Sequence, residues 1–182
     1  MDITQRSLRL SERVEPEAFS RRVSEVLGDA ARDVEARHGH IWANVSADRI
    51  VEAAEALKSD PAIECSYLTF LSAVDWEEEG FEVIVALYSL RYSNTVILRV
   101  RLPATDPHMP TLTGVFGGTN WHERETAEMF GITFDGHPNL VNLYLSEDFV
   151  GHPLLKSFKL ASRTYKPWPG AKDPGEAEAG GR

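Results

Sequence analysis

Cysteine is almost absent from this 182-residue chain, and that absence excludes a good deal. A lone thiol, Cys65, forms no intramolecular disulfide and cannot supply the four thiolates that an iron–sulfur cluster usually takes. Its neighbours are apolar, so it reads as a small buried hydrophobe, and the usage fits a reducing compartment. Long apolar runs are missing as well. Tyr67 to Val74 and Val83 to Tyr88 are the longest, far short of the ~20 residues that cross a bilayer. The opening residues, Met1-Asp2-Ile3-Thr4-Gln5-Arg6, hold no apolar core of the kind a signal peptide needs. Nor is there a basic stripe. The net charge of −9 is spread along the chain, which argues against nucleic acid and against direct binding to anionic lipid. These absences predict an intracellular, soluble protein with no membrane span of its own, free to dock on something membrane-bound.

What is present is the composition of a globular protein: 42% hydrophobic and 26% charged residues, enough for one domain with a sizeable core plus an extension. Residues 1–14 show no sustained period and read as an N-terminal arm. Pro16 suits a first helical position. Phe19, Val23, Val26, Leu27, Ala30 and Val34 then follow one helical face, with Arg21, Arg22, Glu25, Asp29, Arg32 and Asp33 outside it. The spacing predicts one helix ended at His38-Gly39 by a left-handed glycine. A short strand at residues 41–45 leads to a second helix, with Ser46 as N-cap, Ile50, Ala53, Ala54 and Leu57 as its stripe and Asp60-Pro61 as its stop.

Residues 63–74 read as an interior strand, apolar on both faces, and Asp75 to Gly80 as a solvated turn. Residues 81–91 and 95–102 alternate as a hairpin joined at Ser93-Asn94. The fold class is therefore α+β: two N-terminal helices on a mostly antiparallel sheet of about four strands. A short helix is expected at roughly 109–116. Another follows with Asn120 as N-cap, Glu123 at N3 and Gly131 as its C-terminal stop. The α+β domain spans 15–131, an extended segment with two Gly-His-Pro corners 132–160, and an extended, partly disordered tail 161–182.

Four of the six histidines (His108, His122, His137 and His152) fall in one segment with Glu123, Glu125, Glu128 and Asp135. His122 and Glu125 stand i, i+3 and could face one metal ion with His137 or His152, but no His-Glu-x-x-His accompanies them. Phe116-Gly117-Gly118-Thr119 lacks the lysine of a phosphate loop. The plainer reading is an ion-pair network around Arg124, the sole cation among three glutamates, with each Gly-His-Pro forming a rigid corner whose histidine satisfies a nearby carbonyl or carboxylate.

The run Trp121-His122-Glu123-Arg124-Glu125-Thr126-Ala127-Glu128-Met129-Phe130-Gly131-Ile132 resembles the Trp-x-Glu-Arg-Glu-x-x-Asp-Met-Phe-Gly-Ile signature of the C subunit family of respiratory complex I, the NADH:quinone oxidoreductase. The likeness continues through Gly136-His137-Pro138 and Gly151-His152-Pro153-Leu154. Glu128 departs from the usual Asp, Asn142 and Leu155 stand where arginines are expected, and Phe149 stands where tryptophan is common; Lys156 is kept.

The resemblance implies a peripheral-arm subunit on the cytoplasmic side of the cell membrane, bound to the quinone-site D subunit and near the B and I subunits. It implies no active site and no cofactor on this chain, with NADH, FMN, iron–sulfur clusters and quinone held by partner subunits. Its interface candidates are Glu123, Arg124, Glu125, Glu128, His137, Pro138, His152, Pro153, Lys156, Tyr165 and Trp168. A ferredoxin- or hydrogenase-linked sister complex, or a free-standing His/Glu metal hydrolase, are the alternatives.

Overall fold

The computed structural model describes residues 12–159; most of the expected arm, and the tail with Tyr165 and Trp168, lie outside them. Helix α1 (Pro16–Leu27) starts with proline in its first turn, as the sequence predicts, and buries Phe19, Val23 and Leu27. It is shorter than its periodicity suggests. After a 3-10 turn at Gly28–Ala30 the chain becomes strand β1 (Ala31–Arg37), so Val34 belongs to a strand and not to the helix. His38 and Gly39 both adopt positive φ (53° and 77°). They form the two-residue turn of a hairpin, which needs two such residues, and not a helix cap. Strand β2 (His40–Val45) returns antiparallel to β1.

A 3-10 turn flanked by Ser46 leads into α2 (Ile50–Ser59), which buries Ile50, Ala53, Ala54 and Leu57 as expected. Strands β3 (Tyr67–Asp75), β4 (Phe81–Ser89) and β5 (Asn94–Leu102) complete a five-stranded sheet in the order β1-β2-β5-β4-β3. The sheet has one strand more than expected, because the supposed end of the first helix supplies it. All its pairings are antiparallel except β2 with β5. The β4–β5 turn begins earlier than expected, since Ser89 already pairs with Asn94.

The apolar run of β3 misleads. The strand lies at the sheet edge, with Tyr67 and Phe70 exposed. The inner face of the sheet presents Val83, Val85, Leu87, Val96, Leu98 and Val100 to α1 and α2, making one continuous core. Cys65 is buried in that core, as expected, and burial pushes its thiol up to about 12.

No helix forms at 109–116. Strand β6 (His108–Pro110) pairs in parallel with β7 (Thr133–Asp135), and a turn follows in which Phe116 N–H donates to Leu112 O. Helix α3 (Thr119–Phe130) then packs along β3. It begins before the expected Asn120 cap. Thr119 holds its start by donating from Oγ1 to Phe116 O at 2.6 Å. Among the described residues no helix is long and apolar enough to cross a membrane.

Leu98 sits fully buried on the central strand, where neither neighbour can collapse into a vacancy. Leu98→Ala is expected to lower the free energy of unfolding by about 3 kcal/mol in a urea titration.

Candidate functional site

The residues singled out from the sequence converge on α3 and the irregular segment after it. Two buried glutamates, one turn and a half apart, fasten the helix on two sides. Glu123 is fully buried. Its Oε1 accepts the Leu112 N–H at 2.7 Å and its Oε2 accepts the Thr111 hydroxyl at 2.5 Å. Because the Thr111 proton is committed to Glu123, Thr113 donates its own hydroxyl to Thr111 at 2.9 Å. Glu123 therefore ties α3 to the turn after β6, where the sequence pattern suggested a reciprocal cap with Asn120. Burial pushes its carboxyl above the ordinary glutamate value, against the pull of Thr111, the Leu112 N–H and the His137 ring.

Glu128, in the last turn of α3, does a different job. A carboxylate there faces the negative end of the helix dipole and needs compensation. The backbone N–H groups of Leu143, Tyr144 and Leu145 supply it. Leu143 donates to Oε2 at 2.9 Å, Tyr144 reaches both oxygens at 3.2 Å, and Leu145 donates to Oε1. Burial disfavours the charged form and is the largest single influence on Glu128. The three N–H groups and the Arg124 charge together outweigh it and hold the carboxyl below the usual value.

Arg124 does not bridge carboxylates as the ion-pair reading expected. It forks onto two backbone carbonyls of the same segment, Val141 O at 2.8 Å and Asn142 O at 3.2 Å. Glu125 is half-buried. It sits roughly 200° around the helix from Glu123, so the two do not act as a pair.

The two Gly-His-Pro corners hold opposite ends of α3, each with its glycine at positive φ (80° at Gly136, 99° at Gly151). His137 donates from Nε2 to Asn120 O at 3.2 Å and accepts the Asn139 N–H on Nδ1 at 3.0 Å, which fixes the Nε2–H tautomer. Its Nε2 is 3.9 Å from Glu123, and both side chains are fully buried.

His152 donates from Nδ1 to Glu128 O at 2.8 Å while Leu154 N–H reaches Met129 O at 3.1 Å, so this corner satisfies carbonyls that the helix end leaves open. Gly131 makes that approach possible. It is left-handed (φ 77°), and a Cβ there would lie 2.8 Å from His152 Nε2. Pro138 is exposed and Pro153 half-buried. The four segment histidines serve separate contacts, His122 lying edge-on to Phe70 with ring centroids 6.5 Å apart and His108 Nδ1 3.0 Å from Asp106 O. Among the described residues no three metal-ligating side chains gather.

Lys156 is fastened through its backbone, its N–H donating to Asp75 Oδ2 at 2.8 Å, while Asp75 Oδ1 accepts Glu77 N–H at 2.7 Å. Asp75 is the residue that sequence reasoning missed. Its bond to Glu77 is the familiar Asx-turn signal, but the bond to Lys156 joins positions 81 residues apart.

The product is a corner whose polar groups point inward and whose apolar ones point out. Val141, Tyr144, Val150 and Leu154 are all more than half exposed, Val150 at 88%. Val141 and Val150 line an open cleft of about 560 Å³ together with Arg124, Glu128, Leu145, Phe149 and His152.

Glu128→Gln removes a charge and one acceptor from three donors. It is expected to cost about 2 kcal/mol at neutral pH and to speed amide exchange at Leu143, Tyr144 and Leu145. A lowered native pKa means that the unfolded chain binds the proton more readily. The Glu128 contribution is thus present above the ordinary glutamate pKa and lost as pH falls through the lowered one. Glu123 has the opposite sign: its contribution is present below the ordinary pKa and lost as pH rises through the raised one. Unfolding titrations across pH are expected to show the wild type losing stability relative to Glu123→Gln above the ordinary glutamate range.

Comparison with known proteins agrees with this architecture. The family described as respiratory-chain NADH dehydrogenase, 30 Kd subunit, matches residues 43–164. The second C subunit of NADH-quinone oxidoreductase in Rhizobium meliloti is 42% identical over 141 residues, 76% of this chain and 76% of that protein. The C subunit of the same enzyme in Mycolicibacterium gilvum is 37% identical over 155 residues, 84% of this chain but only 65% of the longer relative. Among solved structures, the trypsin-resistant fragment (1-134) of Nqo5 aligns with a TM-score of 0.56 at 28% identity, covering 67% of this chain and 98% of the fragment. A chain of the membrane-bound sulfane sulfur reductase, an archaeal respiratory membrane complex, shares the fold alone, with a TM-score of 0.63 at 21% identity, over 80% of this chain and 86% of that one. With the sheet, α3 and the match over residues 43–164 in agreement, the chain belongs to the family of the 30 Kd subunit of respiratory-chain NADH dehydrogenase, the C subunit family of NADH-quinone oxidoreductase.

Proposed function

We propose that this chain is a non-catalytic structural subunit in the peripheral arm of a proton-translocating NADH:quinone oxidoreductase, on the cytoplasmic side of the membrane. In this reading it supports the quinone-site D subunit and lies near the B and I subunits. NADH, FMN, the iron–sulfur clusters and quinone are bound by those and other partners. The family supports the assembly, since its members carry the name of one subunit of that enzyme.

The observation that carries the reading is the α3 corner. Glu123, Glu128, Arg124 and both corner histidines are engaged with the chain's own backbone, leaving Val141, Tyr144, Val150 and Leu154 on the outer surface. A fixed apolar surface of this kind marks a protein–protein interface more readily than a catalytic centre. Glu123, Glu125, Arg124, Glu128, His137, Pro138, His152, Pro153 and Lys156 belong to it chiefly as the frame that holds the contacting side chains. The sequence adds Tyr165 and Trp168 as candidates to reach the same partners.

A tagged chain isolated from its native membranes in mild detergent is expected to bring flavin- and iron-bearing subunits in fixed ratio, read by mass spectrometry and iron analysis. Emergence of the chain alone and monodisperse would defeat the assembly reading. Tyr144→Asp with Val150→Asp is expected to cut that recovery about tenfold, a loss of about 1.4 kcal/mol of binding. Thermal melting of the isolated variant should barely move, because such surface changes shift stability by only about 0.5 kcal/mol.

A further inference from the structure

The outer face of the sheet carries a second feature, independent of the α3 corner. On this face the register sets Glu82 beside Arg101 and Ile84 beside Arg99, with Asn44 on the other side of Arg99. A single oxygen, Glu82 Oε1, lies 3.9 Å from Arg99 Nε and 3.5 Å from Arg101 Nε. The other, Oε2, accepts the Trp76 indole N–H at 3.3 Å. One carboxylate thus stands between two guanidinium groups. Arg99 Nε is buried and has no hydrogen-bond partner among the described residues.

Both guanidinium groups are also oriented by aromatic rings. Arg99 lies over Trp42 at 5.6 Å and Arg101 over Trp76 at 5.0 Å. A guanidinium held on a ring keeps its in-plane N–H groups free at the edge, the geometry that receives a carboxylate.

Lys156 Nζ shares the Trp76 ring and lies 3.7 Å from Glu77. On β1, the Asn44 amide donates to Asp33 Oδ2 at 3.0 Å. The surroundings of the arginines are apolar: Ile97 and Ala86 pair across the strands, with Ile84 and Trp42 beside them. Within the cluster two guanidinium groups share one carboxylate, which leaves one positive charge to receive an anionic complement.

We propose that Arg99 and Arg101 form the docking site for an acidic side chain of a neighbouring protein subunit, an aspartate or glutamate flanked by apolar residues that lie over the half-buried Trp42 and Ile84. The proposal rests on the reading of the chain as an assembly subunit but uses a different face from the α3 corner. It gives the sheet one partner through charge and the corner another surface through apolar area.

The test uses the tagged full chain in its native membranes. R99E/R101E is expected to reduce recovery of at least one partner subunit about tenfold, and R99K/R101K to restore most of it. A carbodiimide joins an amine directly to a carboxylate within contact distance. In the R99K/R101K assembly it is expected to link the 94–102 strand to an aspartate- or glutamate-bearing peptide of another subunit. Full recovery with the charge-reversed variant, or amide links from the introduced amines to Glu82 alone, would overturn the proposal while leaving the assembly reading intact. Loss of binding to phosphatidylglycerol vesicles with partner recovery unchanged would overturn it in favour of a lipid surface. A wild-type chain that brings down no other protein at all would sink both readings together. If the charge-reversed variant does not fold, the lysine pair and its cross-link still decide the matter.

Discussion

A carboxylate buried at the C-terminal end of a helix is out of place twice, once for lack of water and once for the sign of the dipole. Glu128 is stable there because three successive backbone N–H groups, from Leu143, Tyr144 and Leu145, close around it. The relation works in both directions. The segment from Asn139 to Phe149 contains no helix or strand, and so has no ladder of its own to hold it. Its shape is set by Glu128 from one side and by Arg124, through two carbonyls, from the other. Remove that exchange and the exposed valines and Tyr144 have no fixed arrangement to present.

Glu123 and the two histidines extend the same logic along α3. Glu123 fastens the helix to the turn after β6, His137 fastens its first turn, and His152 closes its last. Gly131 permits the last of these by leaving room for a ring where any side chain would stand. Asp75 then joins the segment's far end to the edge strand through Lys156. Polar chemistry that resembles an active site in sequence thus becomes a frame, and a rigid frame lowers the ordering cost of presenting apolar side chains to a partner.

The elements with a clean period were legible: α2, the stripe of α1, and the β4–β5 alternation all follow from spacing alone. Misreadings arose where two structures share a pattern. Val34 continues a helical face from Ala30, yet also alternates correctly in a strand, and only the paired positive φ values at His38-Gly39 decide between them. The β3 run is apolar on both faces, which the sequence equates with an interior strand. Its position at the edge depends on which strand pairs with which, and local sequence does not encode that. At the site, residue types and corners were readable while their partners were not. Arg124 faces carbonyls and not carboxylates, and nothing within a few residues of it says so.

The sequence by itself determined the local grammar: helix starts and stops, alternating faces, glycines at the corners, and a block of residues around Trp121 to Ile132 specific enough to name a family. Those are short-range properties, fixed by backbone sterics and by the period of each element. Tertiary structure alone decided that Asp75 meets Lys156, that Glu128 meets Leu143 to Leu145, and that Arg99 and Arg101 share Glu82. A hydrogen bond or ion pair acts over a few ångströms of space and is indifferent to separation along the chain. Its partners exist only once the fold has brought them together.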